Sequence, residues 1–217
     1  MKKRPKHLIK KFLVLVSAIY INSIYSDSYE YNLYNNYGVV GTIHTPSART
    51  FDEGVHGVTV YVGDPNQTVT LSASPFDWFE ASFFYTNVQD RPYCYDFTSE
   101  VCLQDFKDKG FNVKVRLKEQ GKLPAIAIGL NDFAGTGIYS SEYIVGSYGI
   151  NRTDFHFGIG FGLLDGSDQN FNNPLSYISD KFNNRPTETA GLGGSFQPSR
   201  YFSGETASPF FGVSHAL

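Results

Sequence analysis

Within residues 111–130, FNVKVRLKEQGKLPAIAIGL, apolar and cationic side chains take turns: Val113, Val115 and Leu117 alternate with Lys114, Arg116 and Lys118. A period of two is that of a β-strand, whose successive side chains point to opposite faces. One face of this strand is therefore apolar and the other carries three positive charges. Facing hydrocarbon, each Lys or Arg near a bilayer midplane would cost roughly 2–4 kcal/mol, so the cations require water or acids. The next run obeys the same rule, setting Ile126, Ile128 and Leu130 against the small Ala125, Ala127 and Gly129, which leave room for long neighbours.

The pattern recurs along the chain. Strands are predicted over Val55–Gly63, Gln67–Ser74, Trp78–Val88, Gly110–Glu119, Pro124–Asn131, Glu142–Tyr148 and Phe155–Leu163. Two more are expected at Ala190–Gln197 and Pro209–His215, with a helical turn or two near Leu175–Phe182 in the polar stretch past Leu164. With 19 Phe, 15 Tyr and 21 Gly, the composition suits strands and turns. Short turns at 64–66, 75–77, 120–123 and 149–154 contrast with long connections at 89–109 and 132–141. That contrast resembles a barrel with short turns at one end and long loops mostly at the other, although the first connection is short where a long one belongs.

Phe155, Phe157, Ile159, Phe161 and Leu163 oppose His156, Gly158, Gly160 and Gly162, a strand that is large outside and nearly empty inside. This suits a barrel lumen that is open or holds bulky neighbours, with Tyr85, Tyr143 and Tyr148 at the membrane–water boundary. Periodicity alone also fits a secreted β-sandwich, in which apolar faces meet each other and lysines meet water.

Residues 1–26 read as a signal peptide, with a basic head and the short apolar run Phe12–Ile21, about half the 20 residues of a membrane-spanning helix. A linker and N-terminal segment, 27–54, would lead into the strand domain at 55–217. The leader holds six of the 18 basic residues and none of the 21 acidic ones, so the mature chain carries −9, which argues against a nucleic-acid partner. Cys94 and Cys102 are candidates for a surface disulfide of an exported protein, and no cysteine lies just after the apolar leader segment, so lipid attachment at a processed N-terminus is not expected.

Chemistry is sparse. Asp132, Ser140, Ser141 and Glu142 cluster near a glycine loop, and paired carboxylates are what glycoside cleavage requires; turn formation and hydrogen bonding explain them as well. His7, His44, His56, His156 and His215 show no metal spacing. No cofactor and no catalytic residue is expected. The basic stripe Lys114, Arg116 and Lys118, with Asp132 and Glu142, supplies lumen-facing candidates for contact with a polymer; pairing of the cations with acids such as Glu80 is the other reading.

The phrases GVVGTIHTPSART, FDWFEASFFYTNV, GLNDFAGTGIYSSEYIV and FHFGIGFGLL, in this order, resemble the YjbH family of exopolysaccharide and capsule biosynthesis proteins over about residues 37–217. The resemblance implies an outer-membrane β-barrel that assists secretion of the polymer. It also implies contact with membrane lipid, with polysaccharide and with periplasmic partners of the same system. Family members are usually longer and many look like lipoproteins, so a short member or an N-terminal fragment with an incomplete barrel is expected. A secreted glycan-binding β-sandwich and a polysaccharide-modifying enzyme are the alternatives.

Overall fold

The computed structural model describes residues 32–93, 104–166, 170–186 and 194–216. The leader and the Cys94–Cys102 pair lie outside the described residues.

The short pair β1 (Gly41–Thr42) and β2 (Thr45–Pro46) precedes the main sheet. That sheet comprises β3 (His56–Val62), β4 (Asn66–Phe76), β5 (Phe79–Tyr93), β6 (Gln104–Lys118), β7 (Ala125–Asn131), β8 (Ser141–Ile150), β9 (Thr153–Gly162), the short β10 (Phe171–Asn172) and β11 (Thr206–His215). The order is β10-β11-β9-β8-β7-β6-β5-β4-β3, antiparallel throughout, and β3 and β10 remain edges. The protein is thus all-β, and helix among the described residues is confined to short 3-10 turns.

All seven strands expected between Val55 and Leu163 form, as does the one near Pro209–His215. β5 and β6 run further than their composition implies, because polar residues continue the ladder through Tyr85↔Lys109, Thr86↔Asp108 and Asn87↔Lys107. The strand expected at Ala190–Gln197 is corrected for its described part: residues 194–197 are irregular, and Pro198–Arg200 starts a 3-10 turn that an extended run could not enter. The helical turns near Leu175–Phe182 are two 3-10 turns, Pro174–Tyr177 and Asp180–Asn183.

The strand faces differ in kind. On one side Val58, Val60, Leu71, Phe111, Leu117, Ile126, Ile144, Phe157 and Phe211 are exposed. On the other, Thr70, Ser72, Ser82, Asn112, Lys114, Ala127, Tyr143 and His156 are buried. Two expectations about these faces are overturned. Tyr143 is fully buried on the concave side, its ring lying over Gly129 directly across the ladder. Phe161, expected outside, is 2% exposed because Phe202 of the returning connection packs edge-on against it at 5.3 Å.

The sheet is strongly curled. Laid flat, the seven steps from β3 to β11 would separate them by about 33 Å. Yet one turn touches both: the His44 ring lies 6.4 Å from that of Tyr61 on β3, and a Cβ on Gly212 of β11 would meet Thr45 Cγ2 at 2.9 Å. The two strands approach each other across the β1–β2 turn, with no ladder joining them among the described residues.

Candidate functional site: the filled concave face

Residues 33–51 lie against the concave side, and a buried ion pair holds them there. Register places Glu80 of β5 directly opposite Lys114 of β6, and the pair closes at 2.5 Å with side chains 2% and 0% exposed. Each partner also serves the segment's backbone. Val40 N donates to Glu80 Oε2 at 3.2 Å and Phe51 N to Oε1 at 3.1 Å, while Lys114 Nζ donates to Val40 O at 2.9 Å and to Arg49 O. Full pairing of this kind is the condition under which buried charges are tolerated. Beside it, Asn112 Nδ2 and Ser82 Oγ both donate to Tyr37 O, at 2.8 and 2.6 Å.

The far end of the segment is tied to β8 and β9. Ala48 N donates to Ser147 Oγ at 2.8 Å, and Arg49 grips Asp154 through Nε and Nη2 at 2.8 and 2.9 Å. Ala48 then closes a core with Ala125, Ala127, Tyr143 and Val145. Sequence reasoning gave Arg49, Asp154 and Ser147 no role. They sit about a hundred residues apart, and no local pattern joins them.

The expected polymer contacts have separate fates. Lys114 is enclosed and paired with Glu80. Arg116 reaches the exposed acids Glu119 at 2.9 Å and Asp77 at 3.8 Å near the short-turn end. The register slips between Arg116 and Lys118, so Lys118 stands beside the outward Ile126 and is exposed. Glu142 is fully buried, held by Arg185 through both oxygens at 2.8 Å and capped by Phe202 N at 2.9 Å.

Asp132 opens the β7–β8 loop at φ 53. Its Oδ2 accepts from Gly137 N at 2.8 Å and Tyr139 N at 3.2 Å, while its Oδ1 is buried without a partner. Burial first, then the charge of Asp108, pushes this carboxyl up to about 7 against the opposing pull of the two N–H groups and Arg200. Asp132 and Glu142 thus close loops; the hydroxyl that does lie beside an imidazole, Ser147 Oγ at 2.8 Å from His156 Nδ1, is buried and accepts from Ala48 N, so it too holds the enclosed segment. Among the described residues no group of three His, Cys, Asp or Glu could hold a metal ion.

Residues 33–217 match the YjbH family, described as "Exopolysaccharide biosynthesis protein YbjH". The chain is 36% identical over 184 residues to the "Uncharacterized lipoprotein YjbH" of Escherichia coli strain K12; the match covers 83% of this chain and 26% of that protein. The chain therefore spans about a quarter of its relative's length, and no solved structure matches it. The phrases that resembled this family at the level of sequence build the concave face itself, from the enclosed segment to the loop of Asp132, and the chain belongs to the YjbH family of exopolysaccharide biosynthesis proteins.

Proposed function

We propose that this chain forms an outer-membrane β-barrel, or part of one, that assists biosynthesis and export of an exopolysaccharide or capsule without catalysing a reaction. One observation carries the reading: the polar face of the sheet is filled and the apolar face is left open. A β-sandwich requires the reverse, its apolar faces meeting in the core. Exposed side chains such as Val60, Leu71, Phe111, Ile144 and Phe211 recur from strand to strand. Monomeric soluble proteins rarely present apolar patches beyond a few hundred Å². A bilayer satisfies this face and the curl together.

Export is supported by the basic–apolar leader and by the relative's description as a lipoprotein. The absence of catalysis is supported by the engagement of Glu142 and Asp132 in loop closure. Partners would be membrane lipid, the polysaccharide, and periplasmic proteins of the same system. Of the expected polymer contacts, Lys118 is open to water.

The test is fractionation. The protein should remain with outer membranes after alkaline washing, and its unheated form should migrate differently from the boiled form on a detergent gel. Recovery as a soluble periplasmic species would reject the barrel in favour of a secreted sheet protein.

A further inference from the structure

A cavity of about 340 Å³ opens on the concave face. Its walls come from β3 to β6, from residues 36–44 of the enclosed segment, from Tyr139 in the β7–β8 loop and from Leu163 and Leu164 after β9. The volume falls at the small end of the range for ligand sites. We propose that this cavity is a binding site for a neutral saccharide unit, with the rings of Tyr37, Tyr61 and Tyr139 taking its C–H faces and the side chains of Asn36, Asn66 and Thr68 taking its hydroxyls. The proposal rests on the polysaccharide role inferred above and narrows it to a place and a class of sugar.

The polar lining is amide and hydroxyl, with the single imidazole of His44. Each such group both donates and accepts, as a sugar hydroxyl does. No Lys, Arg, Asp or Glu lines the cavity among the described residues, so a phosphate or uronate would enter without a counter-charge, against a large desolvation cost. Burial first, then the charge of Asp108, pushes the Tyr139 hydroxyl above the ordinary tyrosine value, with the Thr86 hydrogen bond and Arg91 pulling the other way.

The groups are also set before any ligand arrives. Tyr139 Oη donates to Asn66 Oδ1 at 2.7 Å, Thr68 Oγ1 donates to Thr86 Oγ1 at 2.7 Å, and Asn36 Nδ2 lies 3.2 Å from His44 Nδ1. The Tyr139 ring stands edge-on to Phe84 at 5.8 Å. Side chains fixed in this way lose little freedom on binding, which is the main benefit of a preformed site.

The test presents the full chain, folded in detergent, to an array of neutral oligosaccharides and of uronate- and phosphate-bearing ones. Neutral members should bind preferentially. Tyr61→Ala, at a partly exposed position, and Asn66→Leu should each lower that signal about tenfold, whereas Lys122→Gln on an exposed turn should not change it. Heat-dependent gel migration checks folding, and Tyr61→Phe, which keeps the ring, should retain most binding if Asn66→Leu fails to fold. No binding to any neutral member, a preference for acidic ones, or binding indifferent to Tyr61→Ala would overturn the site. A protein that fractionates with outer membranes yet binds no neutral glycan would reject this cavity alone; glycan binding by a soluble periplasmic species would reject the barrel and keep the cavity.

Discussion

The concave face has two halves that grip the same segment by different means. Across β4 to β6 the inward side chains are Ser72, Ser82, Glu80, Asn112 and Lys114, and the segment is held by hydrogen bonds to its backbone. Across β7 to β9 they are Ala125, Ala127, Gly129, Tyr143, Val145, Gly158 and Gly160, and the means is close packing. A filler whose apolar side chains are few beyond Val39 and Val40, such as VVGTIHTPSART, can be enclosed only if one wall satisfies its polar backbone and the other comes near enough to touch it.

The sharpest break is expected in the polar half. Lys114→Met leaves Glu80 buried without its cation and should lower stability by about 3–5 kcal/mol. The double change Glu80→Leu with Lys114→Met should not restore it, because the N–H groups of Val40 and Phe51 and the carbonyls of Val40 and Arg49 would then lack partners. Each such buried group costs about 1–3 kcal/mol. Denaturant unfolding followed by the fluorescence of Trp78 reads both. Full recovery in the double variant would mean that the charges matter only to each other and that the segment is not held by them.

A smaller loss is expected in the packed half. A Cβ on Gly129 would stand 2.2 Å from Tyr143 Cζ, so Gly129→Ala should destabilise by about 1–3 kcal/mol through overpacking. Adding Tyr143→Leu should recover part of it, and the coupling in a double-mutant cycle measures the contact. Additive losses would show that the two residues do not share the space.

A third effect lies at the rim and depends on pH. The Asp132 carboxyl, ordinarily at 3.8, is raised to about 7 in the folded protein. Between about pH 4 and 7 the folded state therefore holds a proton that the unfolded state has released. Its contribution to stability falls as pH rises through that window and is level above it. Asp132→Asn should flatten this slope by up to one proton in unfolding measured from pH 4 to 8. An unchanged slope would place the titration elsewhere.

How much of this was legible in the sequence depends on the range of the pattern. Alternation is local, so the strands and the inward placement of Lys114, Ala125, Ala127 and Gly129 could be read directly. Glu80 could be named as a partner for the cations, but its position opposite Lys114 depends on where two long strands stop, and polar residues at 87–93 and 104–109 disguised those ends. Tyr143 was misplaced because a tyrosine near a strand end suits an interface as well as a core. Phe161 was misplaced because its cover, Phe202, comes from a connection without periodicity. The enclosed segment has no repeat at all, and its partners appear only when the sheet has curled.

The distances along the chain that the segment ties together carry a consequence for assembly. Val40 meets Glu80, 40 residues away; Ala48 meets Ser147, 99 away; Arg49 meets Asp154, 105 away. Contacts of growing sequence separation close late and slow folding. Residues 33–51 precede along the chain every strand of the main sheet they touch, so each further hairpin of the sheet brings an anchor at a greater separation from them. The segment then bridges the opening of the sheet: its β1–β2 turn fills the space between β3 and β11 and touches both.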